Sequence, residues 1–106
     1  MKLGIVIHST VGETVWNAFR LGIHALKEGD DVRVFLLAGG VDCESLTTDQ
    51  FNIADQMRVL VDAGGEILAC GTCLKIRRRE GTETCPSSSL GDLYDIIRES
   101  ERLLTF

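Results

Sequence analysis

The sequence predicts an α/β protein, a three-layer α/β/α sandwich on an open, mainly parallel, flavodoxin-like sheet. Two observations carry this expectation. Short apolar runs rich in β-branched residues recur along the chain, as strands buried on both faces require. Amphipathic stretches of helical period separate them, so successive strands are joined by crossover helices and run parallel with right-handed connections. The 106 residues suit a single domain spanning 1–106, long enough to bury one core.

The first run, Lys2 to His8, reads as a strand. Thr10 and Glu13 stand at capping-box spacing and predict a helix start. Val15, Phe19, Gly22, Ile23 and Leu26 then repeat on one helical face, with Gly29 as a left-handed stop. Val32 to Leu37 is the second strand, ended by Gly39 and Gly40. A loop carrying Cys43 leads to Thr47-Thr48-Asp49-Gln50, which reads as the next helix start; Ile53, Met57, Leu60 and Ala63 give its apolar face, and Gly64-Gly65 end it. Glu66 to Cys70 is a third strand, and Thr72 to about Arg79 a short helix with a basic side. Residues 80–89 are expected to form a polar loop holding Cys85 and the only proline, Pro86. A last helix starts at Ser89-Leu90-Gly91-Asp92, with Leu90, Leu93, Tyr94 and Ile97 expected inward, before a closing strand from Arg102 to Phe106.

Apolar residues make up 44% and charged residues 25% of the chain, which is ordinary for a globular domain. A net charge of -5 argues against direct nucleic-acid or membrane binding, since both surfaces call for basic partners. The opening apolar run is too short for a signal peptide and no stretch reaches membrane-spanning length, so a cytoplasmic protein is expected. In that compartment four cysteines point to reactive or metal-binding thiols rather than structural disulfides.

Binding sites of open parallel sheets lie at the carboxyl ends of the strands. His8 closes the first strand, Cys43 follows the second, Cys70 closes the third, Cys73 opens the next helix, and Cys85 precedes the last one. All four thiols therefore map to one rim. Cys70 sits where a strand meets a helix start, with Lys75, Arg77, Arg78 and Arg79 close in sequence, an environment that favours a thiolate. A thiolate is the nucleophile of thiol and persulfide exchange, and the same cations would hold an anion. Cys70 and Cys73 are thus the expected reactive pair, Lys75, Arg77 and His8 the expected anion-binding or poising groups, and Cys43 and Cys85 accessory thiols. Plainer readings stand beside these: Cys43 as a small buried hydrophobe, His8 satisfied by backbone, the basic run as a solvated face, Trp16 as a core or subunit-contact residue.

The stretch Cys70-Gly71-Thr72-Cys73-Leu74-Lys75 after a short strand, with Val34-Phe35-Leu36-Leu37 and Leu103-Leu104-Thr105-Phe106, resembles the DsrE/DsrF-like family, in particular its YchN-like branch. The opening strand, Asn17 and Phe19 in the first helix, and Phe51-Asn52-Ile53 extend the resemblance over essentially the whole chain. It implies a homotrimer or homohexamer. It also implies sulfur transfer by cysteine persulfide, as in the sulfur-oxidation (DsrEFH) and tRNA 2-thiolation (TusBCD) systems, with donor and acceptor proteins as partners. The family's acceptor cysteine ends the third strand and corresponds to Cys70; Cys73 belongs to the C-x-x-C variant of the YchN-like branch. Where relatives often carry Arg-Gly, this chain reads Arg77-Arg78-Arg79-Glu80-Gly81.

No resident cofactor is expected. Two alternative chemistries use the same pair. One is a thiolate metal site at Cys70 and Cys73, with Cys85 as a third ligand, although no second C-x-x-C or His pair completes it. The other is dithiol redox or regulatory chemistry, although the cis-proline loop of thioredoxin-like domains has no counterpart.

Overall fold

The computed structural model describes residues 1–106. Five parallel strands form one sheet in the order β4-β3-β2-β1-β5. They are β1 (Lys2–Ile7), β2 (Asp31–Leu36), β3 (Glu66–Cys70), β4 (Ser87–Ser88) and β5 (Arg102–Thr105). The helices are α1 (Gly12–Lys27), α2 (Ile53–Asp62), α3 (Gly71–Ile76) and α4 (Leu90–Glu99), and a 3-10 segment spans Ala38–Leu46. The predicted α/β class and parallel sheet are what is found.

Strand alternation decides which helix covers which face. Ile5 points toward α1, where Gly22 brings the helix backbone close to Ile5 and Val32; α1 and α2 pack side by side on that face. Gly4 points the other way, and its missing side chain lets Ile96 and Ser100 of the α4 region close over β1. Chain progression from β1 through β3 runs one way across the sheet, and β5 then returns to the far side of β1. Right-handed crossovers therefore place α1 and α2 on one face and α4 on the other. The core between the layers is wholly apolar, with Phe19, Phe35, Ile5, Ile7, Leu36, Leu60 and Ile96 fully buried.

Several local expectations are corrected. The α1 N-cap is Val11, which makes no side-chain cap; the Ser9 hydroxyl instead accepts from the Val11 N–H, so the Thr10–Glu13 capping box does not form. Helix α2 begins at Ile53, capped by Asn52, because the Thr47 and Thr48 hydroxyls accept from the N–H groups of Ala54 and Phe51 in a turn preceding the helix. Ala63 is exposed beyond the end of α2 rather than on its apolar face. The supposed loop around Cys43 is the 3-10 segment, and the polar loop 80–89 contributes the two-residue edge strand β4.

The largest difference lies in α4, which buries Leu93 and Ile96 while Leu90, Tyr94 and Ile97 remain 66, 60 and 45% exposed. Its start is as expected: Ser89 and Asp92 form a reciprocal capping box. Ser89→Ala is expected to lower stability by about 1 kcal/mol, read as a lower urea midpoint at unchanged m-value; an unchanged midpoint would mean water satisfies the N-terminal amides equally well.

Candidate functional site

The carboxyl edge of β3 carries the C-x-x-C pair. Cys70 is both the last residue of β3 and the N-cap of α3, and its Sγ accepts from the Cys73 N–H at 3.4 Å. A sulfur here replaces the usual hydroxyl or carboxylate cap. Cys70 is 4% exposed, whereas Cys73 is half-buried and closer to solvent. The Cys73 Sγ accepts from the Ala38 N–H at 3.2 Å. Ala38 holds a left-handed backbone (φ 51), a conformation costly for a residue with a side chain, and it opens the 3-10 segment that covers the pair. Burial and the hydrogen bond shared with Cys70 push the Cys73 thiol up, with the Ala38 N–H and Arg77 pulling the other way.

The basic run is less uniform than the sequence implies. Arg77 Nη1 donates to the Cys73 carbonyl at 3.2 Å, and its Nε pairs with Asp42 at 3.1 Å. Arg79 reaches the same carboxylate at 2.7 Å. Asp42 thus ties the 3-10 segment to the end of α3, a role with no signal in the sequence. Lys75 and Arg78 make no ion pair, and with Arg79, Glu80 and Gly71 they line an open depression of about 490 Å³ beside the strand end. Arg78, like Ala38, adopts a left-handed backbone (φ 55).

Ser88 is a second residue that sequence reasoning missed. It pairs with Cys70 in the parallel register, so the two side chains share a face of the sheet, and its buried hydroxyl has no hydrogen-bond partner. An orphaned buried hydroxyl beside a thiol is an available donor.

The four thiols do not form one cluster. Cys43 and Cys85 are buried and line a separate small cavity with Leu36, Met57, Ala69 and Leu74. Burial pushes both thiols up to about 12, with the neighbouring Cys85 adding to the effect on Cys43 and Glu44 to that on Cys85. No three His, Cys, Asp or Glu side chains converge to hold a metal ion, so Cys85 does not stand as a third ligand to Cys70 and Cys73. His8 lies just past β1, where its N–H donates to the Phe106 carbonyl at 2.9 Å; its exposed imidazole makes no hydrogen bond within the chain. Two strand spacings, roughly 10 Å, separate the ends of β1 and β3, which leaves His8 beside β5 and away from the pair.

A family model described as the DsrE/DsrF-like family matches residues 1–106. Two archaeal relatives, the uncharacterized proteins MJ0989 of Methanocaldococcus jannaschii and MK0008 of Methanopyrus kandleri, are each 27% identical over 100 residues; the match covers 89% of this chain and 88% and 83% of theirs. Among solved structures, the ychN protein from E. coli is similar with a TM-score of 0.82 and 20% identity, covering 100% of both chains. A conserved protein of unknown function from Bacteroides thetaiotaomicron, BT1422, gives a TM-score of 0.79 at 17% identity, with 99% of this chain and 94% of that one covered. No helix is long and apolar enough to cross a membrane.

Proposed function

The chain belongs to the DsrE/DsrF-like family, one associated with sulfur relay, and we propose that it holds sulfur as a persulfide on Cys70 for intracellular transfer. The observation that carries this reading is the Cys70 sulfur itself, capping α3 through the Cys73 N–H at a strand end. The backbone N–H fixes the position of the Cys70 sulfur at the strand end, and a thiolate is the nucleophile of sulfur exchange.

The step balances without an outside oxidant. The Cys70 thiolate attacks the terminal sulfur of a donor persulfide, a new S–S bond forms, the donor's S–S bond breaks, and the donor leaves as a thiolate. The persulfide terminus then lies near the unpaired Ser88 hydroxyl, a ready hydrogen-bond donor. Lys75 and Arg78, which make no ion pair, supply positive charge in the depression beside the strand end, where Glu80 also stands. Release follows by attack of an acceptor thiolate on the outer sulfur. Attack by Cys73 on the inner sulfur instead expels hydrosulfide and leaves a Cys70–Cys73 disulfide. The side-chain hydrogen bond between the two thiols favours that resolving role and is also what a dithiol redox reading would rest on.

The partners of this reading are sulfur donor and acceptor proteins and further copies of the chain. Self-association into a trimer or hexamer is supported by the exposed apolar residues Leu90, Tyr94 and Ile97 of α4 and Leu103 and Leu104 of β5. Intact-mass measurement after incubation with a small persulfide donor tests the chemistry. A gain of one sulfur, lost in Cys70→Ser and kept in Cys73→Ser, is the expected outcome. Retention of that gain in Cys70→Ser would remove Cys70 as the acceptor.

A further inference from the structure

The geometry points to a second, buried site: Cys43, Cys85 and Met57 form an all-sulfur nest for a soft monovalent metal ion such as Cu(I). These residues sit on three different elements, the 3-10 segment, the loop before β4, and α2, and converge on one cavity of about 60 Å³. A single water needs roughly 15 Å³ of such space, so one bare ion fits. Cys43 Sγ lies 3.9 Å from Met57 Sδ. With metal–sulfur bonds of about 2.3 Å, sulfurs around a trigonal ion stand about 4 Å apart. That spacing is already present between the thiol and the thioether.

The donor set selects the ion. Two thiolates and a thioether suit Cu(I), and Leu36, Val41, Ala69 and Leu74 supply apolar walls around them, with Glu44, Glu80 and Thr82 the other polar residues of the lining beside Arg79. Binding releases two protons: each thiol S–H breaks, its sulfur bonds the ion, and the protons pass to solvent. The product carries one negative charge; Arg79, which pairs with Asp42, lines the same cavity, as do Glu44 and Glu80. Met57 lies outside the usual ligand types, which is why the thiols taken without it read only as buried pairs. This site uses neither Cys70 nor Cys73, so it stands apart from the proposed sulfur carrier.

Anaerobic Cu(I) titration against a chromogenic chelator tests it, with the full-length chain carrying Cys70→Ser and Cys73→Ser to silence the C-x-x-C pair. One equivalent bound is expected. Adding Cys43→Ala or Cys85→Ala should weaken binding at least about 100-fold, and the volume-conserving Met57→Leu about 10-fold. A second readout covers variants that fail to fold: in the Cys70→Ser, Cys73→Ser background, Cu(I) should protect Cys43 and Cys85 from alkylation in mild urea. No binding by that background protein, binding unmoved by the Cys85 and Met57 changes, or unprotected thiols would overturn the assignment.

Discussion

Gly40→Ala is expected to destabilise the domain by about 3 kcal/mol or more and to loosen the thiol site in the same stroke. A methyl group at position 40 would fall inside the van der Waals shell of the Ile7 carbonyl oxygen, 2.8 Å from the Ile7 carbonyl carbon and 3.3 Å from the His8 Cα. All three obstacles are backbone atoms at the end of β1, an interior strand held on both sides by β2 and β5. That backbone cannot yield without breaking ladder hydrogen bonds, so the 3-10 segment must lift instead. The same segment supplies the Ala38 N–H to Cys73 and the Asp42 carboxylate to Arg77 and Arg79. Urea unfolding would record the loss, and faster alkylation of Cys73 would record the displaced segment. A midpoint within roughly 0.5 kcal/mol of the parent's, the range of ordinary surface changes, would show that the segment rides over β1 without restraint.

Alkaline destabilisation is the second large effect. The Cys43 and Cys85 thiols stand at about 12 in the folded chain against an ordinary 9.0, chiefly because burial penalises the thiolate. Between those values the unfolded chain has lost protons that the folded chain retains, so stability falls as pH rises. The contribution is intact below about pH 9 and is lost progressively toward pH 12, amounting to about 4 kcal/mol per thiol at the limit. Urea midpoints measured from pH 8 to 11 should therefore decline, and Cys85→Ala should flatten the decline although it lowers stability at pH 8. Equal slopes for parent and variant would show that Cys85 ionises in the folded state as freely as in the unfolded one.

The strands were legible because runs such as Ile5-Val6-Ile7 and Val32-Arg33-Val34-Phe35-Leu36 are β-branched and apolar enough to be buried on both faces. Strand β4 was not, since Ser87 and Ser88 carry no apolar signal and pair only because Ala69 and Cys70 offer an open edge. The inward face of α4 differs from the sequence expectation for another reason. Leu90, Tyr94 and Ile97 make as good an apolar stripe as Leu93 and Ile96, and only the gap above Gly4 decides which one is buried. At the site, the rim position of Cys70 followed from strand–helix alternation. The division of the thiols into the Cys70–Cys73 pair at the strand end and the Cys43–Cys85 pair in a separate cavity did not, because it depends on how the 3-10 segment and the 80–88 loop fold down onto β3.

That loop has one more consequence. Cys70 is paired laterally with an edge strand of two residues, the shortest pairing in the sheet. Peeling such an edge away needs far less free energy than global unfolding, because few apolar contacts are lost with it. The short edge β4 is therefore expected to open more readily than the longer pairings among β1, β2 and β3. Opening at that margin is expected to uncover the neighbourhood of Cys70 while the interior pairings stay formed.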